Sequence, residues 1–269
     1  MKHSTNYLSK KWLFLLSLLA FISCQKETGT FVTPGENTSV ALALQSDQDT
    51  KYNTFKGPER EVGLGYARSF ATISHTGVPQ EIGVMFTDDA LSGLPDANAT
   101  YILELHDKAL EAALFTHISL GWSAHGHPLP GSSMGPHFDV RFFMMSLADR
   151  LAIPAPPTAG FSTLPPAGYM PANYFPDAPV PQLGVHWTDK SFTAGVPVNH
   201  TMILGSYAGK FTFVSPIVVR TDLVSGQSFS IPYAQPVSFA EHGYYATKYN
   251  IYKDDKGNHY ISLSDFSLR

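Results

Sequence analysis

Residues 201–219 read T-M-I-L-G-S-Y-A-G-K-F-T-F-V-S-P-I-V-V, two apolar runs separated by the turn-forming segment S-Y-A-G-K. Apolar runs of this length on either side of a glycine-containing turn predict a β-hairpin with strands at 201–207 and 211–219. The same arrangement recurs at 62–73 with 81–87, and at 244–252 with 259–263, where the connecting segment contains D-D-K-G. The sequence therefore predicts a chain built mainly from antiparallel hairpins.

The composition also favours a β-rich fold. Charged residues make up 15% of the chain, against a typical share of about a quarter, and the chain holds 21 glycines and 20 prolines. Short helices are predicted at 107–113 and 146–153, the second with Ser146 as its N-cap. We therefore predict a mainly β fold, a single antiparallel β-sandwich or barrel-like domain with a few short helices.

A proline-rich segment covers residues 154–182, with nine prolines and a single charged side chain, Asp177. This composition predicts a long ordered loop. Its aromatic residues favour burial, and two arrangements stay open. The segment could form an apolar contact surface for a homo-oligomer, or it could fold back over one sheet as a lid.

The N-terminal residues predict export. Lys10 and Lys11 precede the apolar run 12–22, which is too short for a membrane-spanning helix and is typical of a secretory signal peptide. The following F-I-S-C ends at Cys24, the only cysteine, and resembles the bacterial lipobox, in which this cysteine receives a lipid. The resemblance implies a signal peptide at 1–23 and a lipid-anchored protein of the outer membrane or cell surface. The alternative is a secreted protein without a lipid.

Two further divisions follow from the polarity of the chain. Residues 24–57 are polar and lack periodicity, which predicts a flexible tether, and residues 58–269 form the β-rich domain. Residues 1–23 contain three of the 18 Lys and Arg residues and none of the 22 Asp and Glu residues, so 15 basic and 22 acidic residues remain. Nucleic-acid binding requires clustered Lys and Arg, so this balance argues against a nucleic-acid partner.

Side chains suited to chemistry are densest at residues 122–145, W-S-A-H-G-H-P-L-P-G-S-S-M-G-P-H-F-D-V-R-F-F-M-M. A strand over 136–145 places His137, Asp139 and Arg141 on one face, because successive side chains of a strand alternate. His125 and His127 precede a Pro-Leu-Pro-Gly turn. Imidazole binds transition metals and transfers protons near neutral pH, so this region is a candidate metal or catalytic site.

Other histidines are expected to contribute less. His186 and His200 are candidate distant contributors to the same site. Four more are predicted to be solvent-facing turn residues, namely His75, His106, His242 and His259. Histidines in Gly- and Pro-rich loops also bind backbone carbonyl groups and fix the loop, so a purely structural role for the cluster stays open.

The sequence contains no G-x-S-x-G elbow, phosphate-binding loop, H-E-x-x-H motif or dinucleotide fingerprint. The leading hypothesis is a non-catalytic binding or structural module of the cell envelope. The second is a protein that binds zinc or copper through His127, His137 and His186. The third is an enzyme that uses His137 and Asp139.

Several motifs resemble a family of uncharacterised exported bacterial and archaeal proteins with a G-H-x-P-P-G and P-H-F-D-x-H-F-Y core. The similar segments lie at 82–95, 126–131, 136–139, 180–187, 200–210 and 244–249. The resemblance implies a domain of unknown function whose metal site would use His127, His137, His186 and an acid at position 215. This chain has Ser215 there, and it has Arg141 where the family has a second histidine. Both changes weaken metal binding, which implies a degraded site or one in which Arg141 supplies the positive charge.

Overall fold

The computed structural model describes residues 51–129, 132–190 and 198–269, and the side chains of residues 127–133 lie outside this description. The strands are β1 (Tyr52–Lys56), β2 (Arg60–Val62), β3 (Gly65–Ser74), β4 (Pro79–Phe86), β5 (Ala99–Glu104), β6 (His117–Ser123), β7 (His127–Leu129), β8 (Ser132–Met134), β9 (His137–Phe143), β10 (Tyr174–Val180), β11 (Gly184–Asp189), β12 (His200–Tyr207), β13 (Lys210–Val219), β14 (Phe229–Pro232), β15 (Tyr244–Lys253) and β16 (His259–Leu268). The helices are α1 (Asp107–Ala112), α2 (Leu147–Leu151), α3 (Ala159–Ser162) and α4 (Arg220–Ser225), and a 3₁₀ turn covers Asp88–Leu91.

Two antiparallel sheets of seven strands form the domain. Sheet A has the order β1-β3-β4-β16-β15-β14, with β2 paired to β3, and sheet B has the order β10-β11-β12-β13-β9-β6-β5. β7 and β8 form a separate small hairpin. The three predicted hairpins are present as β3–β4, β12–β13 and β15–β16. The predicted mainly β sandwich is therefore confirmed.

Aromatic side chains join the two sheets. The ring of Phe138 in β9 lies 5.1 Å from that of Phe86 in β4 and 4.9 Å from that of Trp122 in β6. Phe138 and Phe86 are completely buried. Burial of one such side chain contributes about 1.5–3 kcal/mol, so this aromatic cluster is a substantial part of what holds the sheets together.

The central strand β9 has two different faces. Phe138, Val140 and Phe142 belong to the core between the sheets. The next residue, Phe143, belongs to a second, smaller apolar cluster with Ile203 and other side chains of sheet B. We call the side of sheet B that carries this second cluster its outer face. Alternation places His137, Asp139 and Arg141 on the outer face, as the sequence predicts.

The prediction of a single loop over 154–182 is wrong, because this segment contains α3 and the edge strand β10. β10 includes Pro176 and Pro179, and an edge strand tolerates proline since one side of its backbone has no strand to bond. The ring of Phe161 packs edge-on against Tyr207, and the hydroxyl of Tyr174 donates to the carbonyl of Met202 at 3.1 Å. Phe161 and Tyr174 are therefore buried within the chain itself, and the homo-oligomer stays a prediction.

The predicted tether, residues 24–57, includes a strand that belongs to the domain. Tyr52–Lys56 forms β1, which pairs along its whole length with β3, with Phe55 opposite Ala71. The sequence of β1 has little apolar character of its own, and the strand forms because β3 offers it an edge. The signal peptide, Cys24 and the rest of the predicted tether lie outside the described residues. In the part of the chain that is described, no helix is long and apolar enough to cross a membrane.

His259 is not the solvent-facing turn residue that the sequence predicts. It is buried at the start of β16, with Nδ1 2.8 Å from the carbonyl oxygen of Leu223 in α4. Its Nε2 lies 2.8 Å from a carboxylate oxygen of Asp88, which also accepts a bond from Lys253 Nζ at 2.8 Å. His259 therefore ties β16 to α4 and to the 3₁₀ turn.

Acid should weaken this connection. Hydrogen bonds from Lys253 and then from His259 lower the pKa of Asp88 from 3.8 to about 2. A carboxyl group with a lowered pKa stabilises the fold above its unfolded pKa, and this contribution is lost as the pH falls towards the folded value. We expect Asp88→Asn to lower the urea midpoint at pH 6 and to have progressively less effect between pH 4 and pH 2. Asp89→Asn, in the same turn, is the control, and a pH-independent effect of Asp88→Asn would contradict the prediction.

Candidate functional site

A cavity of about 390 Å³ lies on the outer face of sheet B and is lined by four of the sequence-predicted residues, Asp139, Arg141, His186 and Ser215. Residues of β5 and of β10, the two edge strands of the sheet, line the same cavity. Sheet B therefore curves around this space. The apolar part of the wall includes Ile203 of β12, Ile217 of β13 and Leu183 of the turn before β11.

Three charged or titratable side chains of β9 form a row beside the cavity. Arg141 Nη2 lies 3.1 Å from Asp139 Oδ1, and His137 Nε2 lies 3.7 Å from Asp139 Oδ2. The side chain of His137 is fully buried, and those of Asp139 and Arg141 are only 10% and 12% exposed. His137 Nδ1 lies 2.7 Å from the carbonyl oxygen of Gly135, so this nitrogen carries the hydrogen and donates it.

A glycine leaves room for the guanidinium group. Gly121 in β6 pairs with Asp139, and a Cβ atom at this position would lie 2.8 Å from Arg141 Nη1. That separation is shorter than real Cβ contacts, so any larger residue would displace the arginine. Gly121 is thus part of what positions the Asp139–Arg141 pair.

Two serine hydroxyl groups flank Arg141. Ser119 in β6 pairs directly with Arg141, and the β13 register, with Val214 opposite Phe142 and Ile217 opposite Asp139, brings Ser215 level with it on the other side. Residues directly opposite each other in antiparallel strands share a face. Ser119 and Ser215 are 0% and 1% exposed, and neither hydroxyl has a hydrogen-bond partner among the described residues.

Such hydroxyl groups indicate where a ligand could bind, because a buried polar group without a hydrogen-bond partner destabilises the fold by about 1–3 kcal/mol. Most buried polar groups in native proteins have a partner in the protein, in water or in a bound molecule. Ser215 lines the cavity, so a molecule in the cavity can supply its partner.

A second arginine lies close to the first. Arg150 of α2 is 5% exposed, its guanidinium carbon lies 4.6 Å from the centre of the Phe143 ring, and its Nε donates to the carbonyl of Gln182 at 3.3 Å. Its Nη1 is buried without a partner among the described residues. Burial and the charge of Arg141 lower the pKa of Arg150 to about 10, so Arg150 stays charged at neutral pH.

His117 shares this environment. Its ring stacks on that of Phe143 with 4.8 Å between the centres. Burial and then the charge of Arg150 lower the pKa of His117 to about 4. His117 is therefore neutral at neutral pH, and the positive charge at this end of the site comes from the arginines.

Two predicted supporting residues lie away from the cavity. His125 is exposed, with Nε2 3.1 Å from the carbonyl oxygen of Asp96. His200 is level with the core residue Val218 and faces sheet A, where its Nδ1 lies 3.0 Å from the hydroxyl of Tyr249. His200 is thus on the opposite face of sheet B from Arg141. The side chain of His127 lies outside the described residues.

The described part of the chain does not assemble the predicted metal site. Within it, no group of three or more His, Cys, Asp or Glu side chains is placed to hold a metal ion. Across sheet B, His186 pairs with Gly205, Gly205 with Phe213, and Phe213 with Phe143 of β9. His137 lies six residues before Phe143, at the other end of β9. His186 and His137 are therefore not neighbours in the sheet.

Sequence reasoning missed three residues of the site, Ser119, Gly121 and Arg150. A signal for the first two exists, because residues 117–123 read H-I-S-L-G-W-S and place only polar or small residues on one face of a strand. Arg150 has no such signal, since its burial depends on the packing of α2 against Phe143 and the turn at Gln182.

Residues 74–122 match the family model described as TTHB210-like, hypothetical protein TTHB210. The matched segment runs from the end of β3 through most of β6, and it includes Ser119 and Gly121 of the site and the similar segment 82–95. This likeness to the TTHB210-like model supports a relation to an uncharacterised family and implies no activity. No curated protein and no solved structure matches the chain significantly.

The Asp139–Arg141 pair should contribute strongly to stability. Arg141→Met leaves the buried Asp139 carboxylate without its partner, and we expect a loss of about 3–5 kcal/mol in the free energy of unfolding. Adding Asp139→Asn should recover part of this loss, because it removes the stranded charge. Arg60→Met is the matched control, since the Arg60–Glu104 pair, at 2.9 Å, is as close as the Asp139–Arg141 pair or closer, but it is exposed and should contribute less than about 1 kcal/mol. Similar losses in Arg141→Met and Arg60→Met, measured by urea unfolding, would contradict this expectation.

Proposed function

We propose that this chain is a lipid-anchored binding protein of the cell envelope, and that the cavity on the outer face of sheet B is its ligand site. The observation that carries the proposal is the hydroxyl of Ser215, which lines the cavity, is buried, and has no partner among the described residues. A bound molecule that accepts its hydrogen would remove the cost of burying it.

The dimensions and the lining of the cavity favour a small molecule. Pockets for small ligands measure about 300–1,000 Å³ and combine apolar walls with a few polar groups. This cavity has about 390 Å³ and combines Ile203, Ile217 and Leu183 with Arg141 and Ser215. A macromolecular partner would require a more extended surface.

Binding is favoured over catalysis by the arrangement of Asp139. One oxygen of its carboxylate faces Arg141 and the other faces His137. A carboxylate held between two such neighbours fixes their positions, and it is poorly placed to take a proton from a substrate. The hypothesis of an enzyme that uses His137 and Asp139 has no further support.

Binding of zinc or copper is the second candidate. The hydrogen bond from His137 Nδ1 to the carbonyl of Gly135 is typical of metal-ligating histidines, which donate one ring nitrogen and coordinate with the other. His127, whose side chain is outside the described residues, and His186 would be the other ligands. Stoichiometric zinc or copper in protein purified without a histidine tag, lost in His137→Ala, would support this candidate.

The lipid anchor has a direct test. We expect the wild-type protein to fractionate with membranes, and Cys24→Ser to be exported and recovered in the soluble fraction, because several acyl chains are needed for stable attachment. Mass spectrometry of the N-terminal peptide should show the acyl groups. A Cys24→Ser protein that is exported and still sediments with membranes would rule out the lipid as the anchor.

The ligand site can be tested by blocking the cavity. Ala178 lines it and is exposed, so Ala178→Trp should occlude the cavity while the fold is kept. Ala172→Trp, an exposed position in the same proline-rich segment, is the matched control. We expect small molecules released by denaturing the wild-type and Ala172→Trp proteins, purified from their own envelope, to be depleted in Ala178→Trp. Absence of a released molecule from the wild type, or equal release from all three proteins, would contradict the proposal.

A further inference from the structure

We infer that the ligand is a small organic monocarboxylate, whose anionic group binds Arg141 and Ser215 and whose apolar part packs on Ile203, Ile217 and Leu183. This inference rests on the proposed function, because it names the class of molecule that the cavity binds.

The buried charges beside the cavity favour an anion of low charge. Arg141 and Asp139 form an ion pair, which is neutral as a whole. Arg150, 5% exposed, adds a positive charge, and none of the ion pairs between described residues includes it. These three largely buried side chains sum to one positive charge, although Arg150 is not one of the residues that line the cavity. The carboxylate of Asp177 also lines the cavity, but it is exposed, so water and salt screen its charge and it offsets the buried positive charge only in part.

The hydrogen-bonding groups require an acceptor. Arginine has five N–H donors and no acceptor, and the carboxylate of Asp139 uses only part of this set. The hydroxyl of Ser215 is a further donor on the same face, beside Arg141. A carboxylate has about four acceptor sites and is planar like the guanidinium group, so one carboxylate can bind both residues.

The remaining lining selects among anions. One carboxylate balances the single positive charge of the buried side chains, whereas the dianion of phosphate leaves an excess negative charge beside Asp139. The exposed Asp177 lines the same cavity and adds to the negative charge there. Ile203, Ile217 and Leu183 offer no hydrogen bonds, so they suit a short aliphatic chain and disfavour a second carboxylate.

The test compares three probes by calorimetric titration of the full-length protein in detergent, namely butyrate, its uncharged isostere butyramide, and inorganic phosphate. We expect butyrate to bind at least tenfold more tightly than butyramide, and phosphate to bind more weakly than butyrate. Ser215→Ala should weaken butyrate binding about tenfold, because a hydrogen bond to a charged group is lost.

The matched control is Thr212→Val. Thr212 also has a buried hydroxyl without a partner among the described residues, but it is not one of the residues that line the cavity. Neither substitution removes a hydrogen bond of the described fold, so both proteins should unfold at temperatures near that of the wild type. Only Ser215→Ala should lose affinity for butyrate.

Each contrary result overturns the inference. Equal affinity for butyramide and butyrate, both reduced by Ser215→Ala, would mean a neutral ligand in the same cavity and would leave the proposed function standing. Phosphate that binds more tightly than butyrate would point to phosphate or a similar inorganic anion as the ligand. Undetectable butyrate binding, or binding that Ser215→Ala does not change, would exclude a carboxylate at this position, and the release experiment with Ala178→Trp would then decide separately whether the cavity binds any ligand.

Discussion

Phe138, Val140 and Phe142 are buried between the two sheets, and this burial places the remaining side chains of β9 on the outer face of sheet B. Side chains alternate strictly along a strand, so a register shift of one residue would exchange the two faces. Asp139 and Arg141 would then enter an apolar core, at a cost that their mutual attraction does not offset. The aromatic packing of the core thus fixes the position of the polar site on the opposite face.

Much of this could be predicted from local sequence. The turn segments between apolar runs identify three hairpins, because their glycine and asparagine or aspartate residues adopt conformations that close antiparallel strands. Alternation alone identifies the polar face of β9. These features depend on neighbours in the chain, and a single sequence contains the required information.

The features that were missed depend on residues far apart in sequence. His259 is buried because α4 and the 3₁₀ turn both reach the start of β16, and Asp88 lies 171 positions away from it. Arg150 is buried against Phe143 and the turn at Gln182, and the apolar periodicity of its short helix does not predict this burial. β1 forms only because β3 offers a partner edge. Tertiary packing, and not local preference, decides each of these cases.

The prolines of β10 have a consequence for how the protein behaves when many copies share one surface. An edge strand with free N–H and C=O groups is a template on which a strand of another molecule can assemble. Pro176 and Pro179 lack N–H groups, and β10 also departs from regular pairing between these two residues. This edge of sheet B is therefore a poor template, and neighbouring copies can lie close together without pairing their edge strands into one continuous sheet.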